Sequence, residues 1–546
     1  MKGTTLISVI LLLLATGCAN QTTPTGGPKD EAPPVLISSI PAHNQKNFKG
    51  KNIELVFNEE IKLKDPREEI LITPSPGKNT KYLARGKKVI IEPEFPWTDS
   101  TTYSIAFREG IQDITESNPA EDLRLAFSTG DTIDSLSING TVALLFSEKI
   151  PEKITVALYQ SDTFNIFNHT PTYFTKSNKK GQFTLQNLKA GNYYVYAFED
   201  KNKNLKVESK SEKFGYLINP IQTETKTDSI AIKLITVDAR ALALTSVRHT
   251  IGTSLVRFNK SVDSIKVSLP DSQSAIYTFG DNRTELIFYK NFDKADSVQI
   301  QILASDSVNQ KLDTTVYLKY TETKMASESF KVKEVNESFD PSTKKFSHTL
   351  SYNKLLKQIN YDSIYIRIDS ATRIPVRIKE FEFDTLTHTI KYSTFIDIPA
   401  DSVPKHSKRK SEKPSLVYSK AALISIENDS SSIIQKEIPI VTEETTGMVT
   451  LEIETTEKDY FIEILSSDNK LVQSAKNVKT ITFKYLKPQD YKIRVHIDRN
   501  KNKRWDPGNF NYKTEPEPIL FYKSEEGKYT FPIRANWEVG PLVIRF

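Results

Sequence analysis

The chain has 546 residues, too many for one hydrophobic core, and at about 100–150 residues per domain it divides into four or five units. Charged residues make up 26%, with 74 Lys and Arg against 68 Asp and Glu, which describes a balanced, solvated surface and excludes a nucleic-acid footprint. Cys18 is the single cysteine, so structural disulfides and thiolate metal clusters are excluded and apolar cores alone must hold the fold.

The chain opens with Lys2 and an apolar run from Leu6 to Ala15. That run is shorter than the roughly 20 residues a spanning helix needs, and it fits the apolar region of a secretory signal. Leu14-Ala15-Thr16-Gly17-Cys18 resembles a bacterial lipobox. The resemblance implies a diacylglycerol on the Cys18 thiol, cleavage before Cys18, and a membrane anchor. Residues 19–34, rich in Asn, Gln, Thr, Gly and Pro, read as a flexible tether.

From Val35 on, short apolar segments alternate with turn residues. Ile53-Glu54-Leu55-Val56-Phe57 and Tyr103-Ser104-Ile105-Ala106-Phe107 have period two, and Val89-Ile90-Ile91 follows the turn Arg85-Gly86-Lys87. Tyr and Phe, 23 and 28 in number, add to the strand preference. The pattern predicts an all-β chain of tandem sandwiches in an elongated array.

Two internal repeats set the order of units. Leu188, Tyr193, Val195, Ala197, Asp200, Asn202, Asn204 and Glu208 match Leu486, Tyr491, Ile493, Val495, Asp498, Asn500, Asn502 and Asp506 at one constant offset. Each copy begins near a glycine, Gly140 or Gly447. A second repeat relates Phe57-Asn58-Glu59, Phe258-Asn259-Lys260 and Tyr352-Asn353-Lys354, each closing an alternating strand. The predicted division is a signal peptide (1–17), a tether (18–34), an Ig-like unit (35–131), a second sandwich type (132–235), two degenerate Ig-like units (236–324 and 325–445, the latter with a basic insertion), and the second type again (446–546).

Gly26-Gly27-Pro28-Lys29-Asp30, Pro33-Pro34, Pro41, Phe57-Asn58-Glu59, Tyr103, Asp113 and Phe127-Ser128-Thr129-Gly130 together resemble the bacterial Ig-like domain of the S-layer type, over residues 26–130. Gly181-Gln182-Phe183 followed by Leu188-Lys189-Ala190-Gly191-Asn192-Tyr193-Tyr194 resembles the transthyretin-like, carboxypeptidase-regulatory sandwich. The later copy keeps Leu486 and Tyr491 but has Gln489 in place of the glycine. The resemblances imply spacer or interaction modules of exported proteins and no substrate.

Three patterns invite chemistry. The loops Asp200, Asn202, Asn204, Glu208 and Asp498, Asn500, Asn502, Asp506 place oxygen side chains at relative positions 1, 3, 5 and 9, as a calcium loop does. They lack its glycine at position 6, where Leu205 and Lys503 stand, and its final glutamate. The alternative is a solvated turn in which Asp and Asn bind their own backbone. The run Lys405-His406-Ser407-Lys408-Arg409-Lys410 is either an anion-facing patch or a solvated insertion. Asp followed by Ser or Thr and an aliphatic residue recurs at Asp131, Asp134, Asp228, Asp263, Asp296, Asp306, Asp362, Asp369, Asp384 and Asp401. It resembles an O-glycosylation acceptor of some Gram-negative bacteria, and it is equally a natural way to enter a strand.

Nucleophile elbows, zinc-protease helices, phosphate loops and Rossmann glycines are missing, and the seven His show no ligand spacing. The pairs Glu59-Glu60 and Glu68-Glu69 are adjacent, so on a strand their side chains diverge. Trp97, Trp505 and Trp537 fall in different segments. The expectation is a non-enzymatic outer-membrane lipoprotein that binds or scaffolds protein partners, without nucleic acid, with a surface adhesin or glycan binder as the alternative. Ala19-Asn20-Gln21-Thr22-Thr23 carries no acidic cluster, which favours the periplasmic face. Pro541–Phe546 is expected to be the closing strand of the last unit.

Overall fold

The computed structural model describes residues 30–224, 227–250, 252–269, 275–290, 297–320, 329–369, 371–396, 413–439 and 441–546. Cys18 and the basic run 405–410 lie outside them. The structure is all-β, as expected, and its strands fall into five successive groups.

In the first group, Leu36–Ile40, Ile53–Phe57, Lys88–Glu92 and Lys81–Arg85 form one sheet in that order. Leu71–Thr73, Thr102–Ala106 and Arg124–Ser128 form the facing sheet, and Ile61–Leu63 pairs with Ile111–Asp113. Period-two patterning does what the sequence implies. Ile53, Leu55 and Phe57 are at most 1% exposed, each contributing about 2 kcal/mol by burial. The α-helix among the described residues is the four-residue Pro66–Glu69.

The four-stranded order recurs twice. It is Leu244–His249, Thr253–Phe258, Glu285–Tyr289, Tyr277–Phe279 in the third group. It is Val332–Asp340, Lys345–Tyr352, Thr389–Phe395, Phe381–Asp384 in the fourth. The facing sheets are Ser264–Ser268, Val298–Ser305, Lys311–Leu318 and Arg373–Pro375, Ile364–Arg367, Ser415–Tyr418, Ile434–Glu437, and in the fourth group Leu356–Ile359 also pairs with Leu423–Ser425.

The repeated Phe/Tyr-Asn-Glu/Lys motif has one physical purpose in all three. The aromatic residue is core: Phe57, Phe258 and Tyr352 are 1%, 3% and 6% exposed. The asparagine clasps the first strand of its own sandwich. Asn58 Oδ1 accepts from Val35 N–H (2.7 Å), Asn259 Oδ1 from Ala243 N–H (3.0 Å) and Asn353 Oδ1 from Lys331 N–H (2.7 Å). The three Asn N–H groups donate back to the carbonyls of the same residues at 3.0–3.2 Å. An Asn side chain thus extends the ladder where the strand pair would otherwise fray.

The second and fifth groups share a different topology. Leu136–Leu144 lies between Gln182–Leu188, antiparallel, and Thr227–Leu234, parallel. Gly447–Glu454 lies likewise between Thr480–Leu486 and Glu538–Arg545, so the last segment is a closing strand as expected. The facing sheets correspond strand for strand: Tyr173–Lys176, Thr155–Tyr159, Gly191–Phe198 with Phe214–Tyr216 and Ile221–Thr223, against Leu471–Lys476, Tyr460–Ser466, Gln489–Ile497 with Ile519–Phe521 and Phe531–Ile533. Tyr193 Oη donates to Lys189 O and Tyr491 Oη to Lys487 O, both at 2.8 Å. The repeat glycines serve a close approach. A Cβ on Gly140 would meet the Ile230 carbonyl oxygen of the parallel strand, and one on Gly447 the Arg534 carbonyl oxygen.

The fourth sandwich buries a titratable group. His388 is 6% exposed, stacks on Tyr352 at 5.1 Å, and its Nε2 has no hydrogen-bond partner. Burial pushes its pKa below the ordinary value, against opposing pulls from a hydrogen bond to the Tyr352 backbone and from the carboxylate of Asp384. The unfolded chain therefore takes up a proton near pH ~6.5 that the folded sandwich resists. The stability from this neutral ring is complete above that pH and is lost as pH falls through the lowered folded value. The unfolding temperature of the fourth sandwich is expected to drop between about pH 7 and about pH 5, and His388→Phe to flatten that drop. An unchanged profile in the variant would clear His388 of the effect.

Candidate functional site

The two oxygen-rich loops adopt the same conformation. Asp200 accepts from the N–H of Asn204 (2.9 Å) and of Leu205 (3.1 Å), and Asp498 from Asn502 N–H (3.0 Å) and Lys503 N–H (3.1 Å). Asn202 Oδ1 and Asn500 Oδ1 accept from the same N–H groups of Asn204 and Asn502, at 3.2 and 3.1 Å. Asn202 Nδ2 donates to Glu208 at 3.0 Å, and Asn500 Nδ2 to Asp506 at 2.7 Å. The structure thus brings each predicted set together, with its oxygens engaged by backbone N–H and side-chain amide groups. Leu205 and Lys503, where a calcium loop has glycine, sit at φ 58° and 68°, the left-handed region that L side chains resist. Among the described residues, no three His, Cys, Asp or Glu side chains are placed to hold a metal.

Sequence reading missed the groups that pin these loops from below. Glu212, 1% exposed, accepts from Lys201 N–H and Glu208 N–H, both at 2.8 Å. Glu517, 5% exposed, accepts from Arg499 N–H (2.7 Å) and Asp506 N–H (3.1 Å) and meets His496 Nε2 at 3.1 Å. Each stands two residues before the next strand, a position where a buried carboxylate has no counterpart in the apolar pattern. Asp498 is 1% exposed, and Asn502 N–H keeps Asn500 as a second acceptor, so Asp498→Ala orphans the Lys503 N–H and is expected to destabilise the fifth sandwich by about 1–3 kcal/mol, read by urea unfolding. Calcium is expected to leave the unfolding temperature unchanged. A calcium-dependent rise would instead place a cation among Asp498, Asn500, Asn502 and Asp506.

The loops also reach other sandwiches. The first is 199–213; the second, 498–518, is longer and carries Trp505, Phe510 and Tyr512. Phe510 enters an aromatic recess of the second sandwich, with ring centroids 5.0 Å from Phe167, 5.4 Å from Tyr216 and 6.1 Å from Phe214 and Tyr196. Tyr216 Oη donates to Thr514 O (2.6 Å), and Lys233 Nζ to Ile519 O (3.2 Å). Trp505 packs edge-on against Phe146 at 4.5 Å beside an apolar contact of Leu145, Ile235 and Ile519. Lys492 pairs with Glu148, which it holds below the usual carboxylate range against the upward push of burial. Arg504 meets Asp263 of the third sandwich at 3.2 Å, and Asn509 Nδ2 donates to Val308 O there. Tandem order in the chain is therefore not end-to-end order in space. The expected elongated array folds back here, because the longer loop of the fifth sandwich is shaped to the second.

The first and second sandwiches meet around Glu69. It is 2% exposed and lies 3.1 Å from Arg108 Nε and 2.7 Å from Lys153 Nζ. Burial raises its pKa, and the two cations outweigh burial and hold it low. Glu68 pairs with Lys203. The adjacent carboxylates sit on a helical turn, not a strand, and share no cation: Glu69 binds two and Glu68 a third. Beside them runs an open cleft of about 950 Å³ with mixed charge, lined by Arg124, Asp122, Lys179 and Lys180 among others. A smaller cavity, about 230 Å³, lies between the second and fifth sandwiches next to Phe510.

The Asp-Ser/Thr triplets sort by exposure. Thr132, Ser135, Ser229, Ser264, Ser307 and Thr385 are exposed, and Ser363 is half-buried. Asp306 is 3% exposed and ion-paired with Lys260, so its triplet has a structural task. Asp296, Asp401 and Ser370, which follows Asp369, lie outside the described residues.

Residues 30–129 match the bacterial Ig-like domain family, within the span that the sequence resemblance covers. No curated protein matches the chain. Among solved structures, the chain is similar to BcpA, the major pilin subunit of Bacillus cereus, at 10% identity and TM-score 0.12, over 76% of this chain and 99% of that one. It is similar to the S-layer protein rSbsC at 11% identity and TM-score 0.13, over 74% of this chain and 68% of that one. It is also similar to dimeric latent PorU from Porphyromonas gingivalis at 9% identity and TM-score 0.20, over 68% and 46%.

Proposed function

We propose that this chain is a non-enzymatic lipoprotein, anchored through Cys18 to the outer membrane and facing the periplasm, that serves as a binding or scaffold subunit of an assembly, transport or secretion complex. Its second and fifth sandwiches are read as transthyretin-like spacers. The observation that carries this reading is the junction at 498–518. One loop ties three sandwiches together through aromatic, ionic and backbone contacts, which gives the surface a fixed geometry of the kind a docking platform needs. Exposed Ile378, Phe395 and Ile433 (64%, 73% and 66%) on the fourth sandwich add apolar surface for a protein partner.

Crosslinking in intact cells, followed by purification of the tagged chain in detergent, tests it. The expected result is a stoichiometric outer-membrane partner, with Cys18→Ala moving the chain to the soluble fraction. A chain that purifies alone, or that stays membrane-bound as Cys18→Ala, contradicts the proposal. The second reading, a glycan binder, is favoured by one observation, the aromatic cavity beside Phe510.

A further inference from the structure

The cavity between the second and fifth sandwiches has walls of Phe164, Tyr194, Tyr196 and Tyr216 on one side and Phe510 on the other. Its rim is polar, with Asp162 from the second sandwich and Asn511 and Lys513 from the fifth. At about 230 Å³ it lies below the ~300–1,000 Å³ of sites for drug-sized ligands, which leaves room for one ring.

The chemistry of the walls narrows the ligand. An aromatic recess beside a carboxylate suits a cation, but the chain already supplies one: Lys513 Nζ is 5.6 Å from the Tyr194 ring centre and 3.7 Å from Asp162. Lys513 and Asp162 together give the rim no net positive charge to hold a phosphate or carboxylate. A wholly apolar guest would strand the phenol hydroxyls. Tyr194 and Tyr196 line the cavity, and their hydroxyls make no hydrogen bond to the protein among the described residues. Burial, then Tyr194 and Asp162, push the Tyr196 phenol up to about 12, so it remains a proton donor. Phe164 keeps 41% of its surface exposed at the opening.

We propose that this cavity binds a single neutral hexopyranose ring, whose C–H face lies on the aromatic walls while its hydroxyls bond Tyr194, Tyr196, Asn511 and Asp162. The ring is presented either as a free sugar or as the terminal residue of a polysaccharide. Because Phe510 and Asn511 come from the fifth sandwich and the tyrosines from the second, a bound sugar also fastens the two together.

The test is calorimetric titration of the purified full chain with D-glucose, D-galactose, D-mannose and N-acetyl-D-glucosamine, and with oligomers of each. At least one sugar is expected to bind saturably, with a dissociation constant on the order of 1 mM. Tyr194→Ala and the rim variant Asn511→Ala are each expected to weaken it at least about tenfold. Asn511 is exposed, so its variant tests the site without straining the fold. Equal binding of monomer and oligomer identifies a free sugar, and tighter binding of the oligomer a chain end. No saturable heat from any of these sugars, or binding unchanged in both variants, overturns the proposal. Either outcome leaves the scaffold reading untouched, since that rests on recovery of a protein partner.

Discussion

Phe510→Ala is expected to loosen the fifth sandwich from the second by about 2–3 kcal/mol, less than the roughly 3–5 kcal/mol of a fully buried phenylalanine because this ring is half-buried. The ring touches Phe167, Tyr196, Phe214 and Tyr216, so truncation empties the recess and removes the apolar contact beside the Tyr216–Thr514 hydrogen bond. Ties that remain include the pairs Lys492–Glu148 and Lys513–Asp162, the Lys233–Ile519 bond and the edge contact of Trp505 with Phe146. Two readouts follow. The radius of gyration in small-angle scattering should rise, and amide exchange at Phe214–Tyr216 should accelerate while Val156 and Val195, in the core of the same sandwich, stay protected. Tyr512 is the control, since it lies on the same loop with 68% of its surface exposed. Its replacement by Ala should change neither readout, with a stability effect within about 0.5 kcal/mol. If the two variants behave alike, the loop does not hold the sandwiches through Phe510.

This junction also marks where sequence reading stops. Strands were legible because period two survives in Ile53–Phe57 and its copies, and both repeats were legible because their residues are needed locally. Tyr193 and Tyr491 each close a bond four residues back, and Asn58, Asn259 and Asn353 each clasp a first strand. Such contacts lie within one sandwich and leave a fixed spacing in the chain. The docking of the fifth sandwich on the second joins residues about 300 positions apart and leaves no period. Its one trace is a departure from the repeat: the later loop is longer and holds three aromatic residues in what otherwise reads as a solvated turn. The oxygen-rich loops were legible as a cluster, and the turn in which Asp and Asn bind their own backbone was one of two readings, but the groups that pin the loops from below were not legible. Glu212 and Glu517, which decide where the loop N–H groups go, sit outside the repeated motif.

Lys260→Met is expected to be the most damaging single change in the third sandwich. Lys260 is 8% exposed and ion-paired with Asp306, itself 3% exposed. It also donates to Asp238 O (3.0 Å) and Arg240 O, in the segment that leads from the second sandwich to the third. Asp306 accepts from Val308 N–H (3.0 Å) and Gln310 N–H (2.8 Å), so it is needed as an acceptor whether or not the lysine is present. Removing the cation leaves a buried carboxylate without its counter-charge, an effect of about 3–5 kcal/mol. Pairing the change with Asp306→Asn keeps an acceptor for the backbone and removes the stranded charge. The double variant should therefore recover more than half of the loss in hydrogen exchange at Leu286 and Ile302. The equivalent Lys354 gives the contrast. Its partners Glu427 and Asp429, at 2.6 and 2.7 Å, are 54% and 34% exposed, so water shares their charge when the lysine goes. Lys354→Met should cost the fourth sandwich about 1–2 kcal/mol. Equal losses at the two positions, or no recovery in the double variant, would mean that Lys260 acts only through its packing and its two carbonyl bonds.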